Sequence, residues 1–158
     1  MSLEELMEKF AEDFGVENVA DDGRGVWSLD VDGMIVSFAE QKATGEMLVL
    51  ADVGEVPQEG RERLYRTLLE ASFLGEGTAG AVLSVKPGSD SVCLHRIVTL
   101  AEMDVERFRT MLERFVNVLE SWRKLIADFG KVADDQAKSA RQDRENDRKC
   151  KEDGFLRV

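Results

Sequence analysis

Three groups of residues in this chain have types and spacings that could do chemistry. Gly75-Glu76-Gly77-Thr78-Ala79-Gly80 spells G-x-G-x-x-G. That run cradles a dinucleotide pyrophosphate when it follows a strand and opens a helix. Here the order is reversed: a helix-patterned segment precedes the glycines, a β-branched stretch follows, and no Walker-type Lys-Ser/Thr pair is present. The run reads as a helix cap and a flexible lead into a strand. Ser28-Leu29-Asp30-Val31-Asp32-Gly33 has some of the rhythm of a calcium loop. It lacks the first carboxylate, and position twelve is Ala39 where a bidentate Glu is needed. Cys93 and His95, the single histidine, fall on one face of a strand. A Cys–His pair can support nucleophilic catalysis, but no orienting residue or third metal ligand is spaced to join it. Carboxylate pairs abound only because the chain is acidic, so they do not nominate a hydrolase dyad. The sequence assigns no catalytic residue, no metal site and no cofactor.

The elements that would position such residues follow from periodicity and caps. Ser2-Leu3-Glu4-Glu5 has the S-x-x-E form of a capping box, in which the serine hydroxyl and Glu5 reciprocally satisfy two orphan amides. Leu3, Leu6, Met7, Phe10 and Phe14 then share one helical stripe, and Gly15 suits the C-terminal cap, giving a first helix over about 3–14. Val26–Val31 and Met34–Ala39 flank Asp32-Gly33, a strong hairpin signal because both central residues of a type I′ turn need φ > 0. A two-residue turn there pairs Val31 with Met34, Leu29 with Val36 and Trp27 with Phe38, all on one apolar face. A third strand, Glu46–Ala51, completes a meander.

Gly60–Phe73 reads as a second helix, with Leu64, Leu68 and Ala71 on one line and Tyr65, Leu69 and Phe73 beside it. Ala79–Val85 and Ser91–Val98 form a second hairpin around Lys86-Pro87-Gly88-Ser89-Asp90. Asp104 can cap a last helix whose stripe runs Phe108, Met111, Leu112, Phe115, Val118, Leu119, Trp122, Leu125, Ile126 and Phe129. Gly130 marks a composition break. Beyond it the charged stretch 131–158 is expected as an exposed helix or a disordered tail. The fold class is α+β: α-β-β-β-α-β-β-α, an antiparallel sheet flanked by helices, with one domain over 1–130.

The formal net charge of −11 is unevenly spread. Residues 1–60 hold 3 Lys/Arg against 15 Asp/Glu, residues 61–130 balance at 10 against 10, and 131–158 hold 8 against 7. The excess therefore sits in the first helix and first strands, where it repels phosphate backbones and anionic membranes and favours basic partners. The chain has no apolar run near the ~20 residues that cross a bilayer. The acidic opening MSLEELMEKF is expected to be neither a signal nor a transit peptide. Cys93 and Cys150 form no disulfide framework and read as reduced thiols. Leu3, Phe10, Phe14, Ile35, Leu48, Leu50, Phe73 and Leu83 together exceed what one small layer covers, which points to an oligomer interface or a partner groove.

This element order resembles that of class I type III secretion chaperones of the Tir chaperone family. So do the block Leu68-Leu69-Glu70-Ala71-Ser72-Phe73-Leu74 running into Gly77-Thr78-Ala79-Gly80-Ala81-Val82-Leu83, and the closing Phe115-Val116, Leu119-Glu120 and Trp122-Arg123. Ser72 departs from the more polar amide common there, and the tail is longer. The resemblance implies an acidic cytoplasmic homodimer in a bacterium with a type III apparatus. Such a protein keeps the N-terminal segment of one secreted effector non-globular for export, and the export ATPase is a further implied partner. It implies no enzyme activity, no nucleic acid, no membrane and no small-molecule substrate. Leu64, Leu68, Phe73, Leu83 and Val85 would then form the dimer interface. Leu3, Leu6, Phe10, Ile35, Leu48 and Leu50 would meet the effector. The rival readings are a dimeric adaptor or sensory regulator outside secretion, and a small enzyme built on Cys93 and His95.

Overall fold

The structure, a computed structural model, describes residues 1–17 and 19–155. Residues 156–158 of the expected tail and the side chain of Cys150 lie outside the described residues. Helix α1 (Leu3–Phe14) starts on the capping box: Ser2 Oγ accepts from the Glu5 amide at 3.2 Å, and Glu5 Oε2 accepts from the Ser2 amide at 3.1 Å. It ends at Gly15, whose φ of 62° is a left-handed cap open to glycine without a Cβ penalty. Three strands follow the short β1 (Val19–Asp21): β2 (Val26–Val31), β3 (Met34–Gln41) and β4 (Glu46–Glu55). Then come α2 (Arg61–Ser72), a 3₁₀ turn (Phe73–Gly75), β5 (Val82–Val85), β6 (Ser91–Thr99), a second 3₁₀ turn (Leu100–Glu102) and α3 (Val105–Phe155).

The six strands form one antiparallel sheet in the order β1-β2-β3-β4-β6-β5. The β2–β3 register is the one the turn requires, with Val31 opposite Met34, Leu29 opposite Val36 and Trp27 opposite Phe38. Asp32 (φ 52°) and Gly33 (φ 77°) supply the two positive dihedrals, and Asp30 Oδ1 accepts from the Gly33 amide at 2.8 Å. The calcium-like rhythm is thus a hairpin turn.

The structure moves several expected boundaries for local reasons. Strand β1, three residues long, has no periodicity to read and exists through its pairing with β2. Strand β5 begins at Val82 rather than Ala79, because Ala79 (φ 50°) and Gly80 (φ 83°) are left-handed. Strand β4 runs on to Glu55 past a register shift between Asp52 and Gly54. Helix α3 opens on Asp104, whose Oδ1 accepts from the Arg107 amide at 2.8 Å. It passes through Gly130 without a break and continues to Phe155.

One face of the sheet carries the core. Val36, Phe38, Met47, Val49, Val92 and Leu94 are fully buried there, against Leu3, Leu6 and Met7 of α1, Leu64 and Leu68 of α2, and Phe108 and Leu119 of α3. Phe108 anchors the centre, edge-on to Phe10 with centroids 4.9 Å apart and tilted to Phe38 at 5.3 Å. Buried residues of all three helices join this one core. The opposite face of the sheet is the chain's open side.

Candidate binding surfaces

Strand alternation decides which residues reach the open face. On β3, β4, β6 and β5 these are Ile35, Ser37 and Ala39; Leu48, Leu50 and Asp52; Cys93, His95 and Ile97; and Val82 and Ser84. The register lays Ser37, Leu50, His95 and Val82 in one row and Ala39, Leu48 and Ile97 in the next. Ile35 is 61% exposed, Ile97 55% and Val82 44%, while Leu48 and Leu50 between them are half-buried. A shallow depression lined by Ile35, Ser37, Leu50, Asp52, Ser84 and Cys93 runs along this face. An apolar patch of this kind on a polar-rimmed surface marks an interaction site more often than chance exposure does.

A second surface is the cleft between α1, α3 and the β2–β3 hairpin. Phe10, Phe14, Leu29, Val31, Leu112 and Val116 form its apolar lining, with Asp32, Arg109, Glu113 and Asn117 on its rim. The Arg109 guanidinium lies 5.2 Å from the Phe14 ring centroid, and its Nε donates to Glu113 Oε1 at 3.0 Å. Among the described residues strand β1 pairs only with β2, so its outer edge is open.

A third surface lies on α2 and the turn that follows it. Leu69 (73% exposed), Phe73 (69%) and Leu74 (79%) are the most exposed large apolar side chains among the described residues. Arg61, Glu62, Tyr65, Arg66 and Glu70 border Leu69 along a shallow groove. Leu74 is held at φ 52°, a left-handed conformation that costs a non-glycine residue about 1 kcal/mol or more. The glycine run that suggested a phosphate loop fixes this turn. A Cβ on Gly75 would lie 2.8 Å from Gly80 Cα, and one on Gly77 would lie 3.0 Å from Ala71 Cβ.

The residues singled out in the sequence divide between the core and these surfaces. Leu3, Leu6 and Phe10 point into the chain's own core at 1%, 0% and 6% exposure, with Phe10 alone also lining the cleft. Ile35, Leu48 and Leu50 come together on the open face. Leu64 and Leu68 of α2 and Leu83 of β5 are buried and Val85 is half-buried, whereas Phe73 is exposed. Val82, Ile97, Leu69 and Leu74 were not singled out for these surfaces. Alternation within β5 and β6 sets Val82 on one face with Ser84 and Ile97 on one face with Cys93 and His95, and the Tyr65–Leu69–Phe73 line carries Leu69.

Cys93 is buried, and its Sγ donates to Asp52 Oδ1 at 3.3 Å. Burial, and then the hydrogen bond and charge of Asp52, push the thiol pKa above its ordinary value. A thiol held protonated beside a carboxylate is the reverse of an activated nucleophile. His95 stands two residues along the same strand face and faces Leu50 and Val82 across the ladder.

Among solved structures, the chain is similar to a chain in the crystal structure of the ExsC–ExsE complex (22% identity, TM-score 0.65), with 80% of this chain and 97% of that one covered. It is also similar to a chain in the HopA1–SchA chaperone–effector complex (14% identity, TM-score 0.65, 77% and 92% covered). A third similar chain lies in the Yersinia pestis complex of the type III secretion chaperone SycH with a stable fragment of YscM2 (17% identity, TM-score 0.58, 75% and 97% covered). At these identities the likeness is one of fold. No curated protein matches the chain in sequence. The model of the Tir chaperone protein (CesT) family matches residues 5–123. A match over that much of the 158 residues makes this chain a member of the Tir chaperone protein (CesT) family.

Proposed function

We propose that this protein is a type III secretion chaperone that binds the N-terminal segment of a cognate secreted effector and keeps it non-globular for export. The observation that carries the reading, beside family membership, is the uncovered apolar face formed by Ile35, Leu48, Leu50, Val82 and Ile97. A folded partner presents few apolar side chains, whereas an extended segment presents them along its length. Such a segment can add a strand to the free edge of β1 or lay a short amphipathic helix on an apolar surface. In this reading the chain acts in the bacterial cytoplasm, binds without catalysis, and delivers its partner to the export ATPase.

The second copy belongs on α2. Leu69, Phe73 and Leu74 lie beside the edge strand β5, and closing a two-fold interface there would bury them with the outer rims of Leu68, Leu83 and Val85. Among the described residues no helix is long and apolar enough to cross a membrane.

Co-expression with candidate secreted proteins from the same genome, followed by limited proteolysis of the purified complex, tests the reading. A protected fragment from the N-terminal region of a secreted protein is the expected result. A partner retained only as a natively folded domain would overturn it.

A further inference from the structure

The cleft between α1, α3 and the β2–β3 hairpin combines an apolar floor with an acidic rim. Its rim holds the carboxylates of Asp32 and Glu113 against one guanidinium, Arg109, whereas the Asp30 side chain leaves β2 on the opposite face, where its Oδ1 accepts from the Gly33 amide. Arg109 is already committed, to Glu113 at 3.0 Å and to Glu106 at 4.0 Å. Helix α1 delivers its C-terminus to the same place, since Phe14 and Val16 line the cleft. The carbonyl end of a helix carries about half a negative charge and is normally offset by a basic side chain in the last turn. Here that turn has none, and holds Glu12 and Asp13 instead.

We infer that this cleft recognises a partner segment in which a large aliphatic or aromatic side chain sits next to a lysine or arginine. The apolar side chain fills the space over Leu29, Val31, Leu112 and Val116. The adjoining cation then lies within reach of Asp32 and the α1 terminus. The inference rests on the chaperone reading and specifies the chemistry of the bound segment. A second copy is a poorer occupant. The surface this chain could offer, Tyr65 and Leu69 on α2, brings Glu62 and Glu70 together with Arg61 and Arg66. Both arginines are already paired, to Asp90 and Glu70, and the contact would dock head-to-tail without closing.

The test uses the full chain and two labelled twelve-residue peptides in a Ser/Gly background, one with two Leu-Lys pairs and one with two Leu-Glu pairs. Fluorescence anisotropy at low salt should show the lysine peptide binding roughly tenfold tighter, with the preference shrinking as salt rises. Asp32→Asn keeps the turn, because asparagine tolerates positive φ as aspartate does. That variant, and separately Asn117→Lys, should each abolish most of the preference. Equal affinities, undetectable binding of the lysine peptide, or indifference to both variants would overturn the inference. So would growth of head-to-tail oligomers by light scattering that Asn117→Lys abolishes. With a co-purified secreted segment the two readings separate. Undiminished binding to Asn117→Lys would remove the cleft assignment alone, whereas no bound segment on the wild-type chain would remove the chaperone reading itself.

Discussion

Trp122 Nε1 donates to the carbonyl of Gly77 at 3.0 Å, tying the middle of α3 to the glycine turn between α2 and β5. The indole is buried, so its N–H needs this acceptor. The contact makes the turn part of the folded framework.

Trp122→Phe retains most of the packing and removes the donor, leaving the Gly77 carbonyl without its partner. We expect a loss of about 1–2 kcal/mol, read as a lower urea midpoint with an unchanged m-value.

The glycines differ in what they do, and alanine scanning should separate them. Gly75→Ala puts a Cβ 2.8 Å from the Gly80 backbone at φ 69°, and should cost about 2 kcal/mol or more. Gly130 lies inside α3, and a Cβ added there would meet nothing within 4 Å, so Gly130→Ala should stabilise the chain by roughly 0.5–1 kcal/mol. Thermal unfolding of the two variants gives opposite signs.

Cys93 should alkylate far more slowly in the folded chain than in urea. Asp52→Asn removes the neighbouring carboxylate that helps raise the thiol pKa, so it should speed the reaction with iodoacetamide. The same raised pKa sets a stability trend. Above the ordinary thiol range, near pH 9, the unfolded chain loses its proton first, so stability falls as pH rises. Cys93→Ala should lose that part of the alkaline decline, as followed by urea midpoints across the alkaline range.

Leu69→Asp, Phe73→Asp and Leu74→Asp each change a side chain that is at least 69% exposed, so folding should survive. If α2 carries the second copy, each should shift the chain from dimer to monomer at micromolar concentration in light scattering. A dimer untouched by all three would place the interface elsewhere.

Much of this architecture was legible in the sequence where local chemistry has one solution. The S-x-x-E box, Asp32-Gly33 and Asp104 each fixed a boundary or a register, because each satisfies backbone groups that nothing else nearby can. Strand β1 was not legible, since three residues carry no period and only β2 orders them. The start of β5 depended on Ala79 adopting a positive φ, which alanine rarely signals. Gly130 marks a change of composition and not of structure, since α3 runs through it to Phe155. The surfaces were legible in part. A stripe such as Leu3, Leu6 and Phe10 shows that residues share a face, but not whether a sheet or a partner covers it. The alternation of Leu48 and Leu50 against Met47 and Val49 carried more, because one side of a strand must face away from a core the other side fills.

The most direct measurement is hydrogen exchange on the chain with and without a co-expressed secreted segment. The account predicts slowed exchange in the edge strand β1 and around the open face of β3, β4 and β6, with the bound segment itself becoming protected only where it touches the chain. A partner that shows the protection of an independently folded domain, with β1 and the open face unchanged, would contradict it.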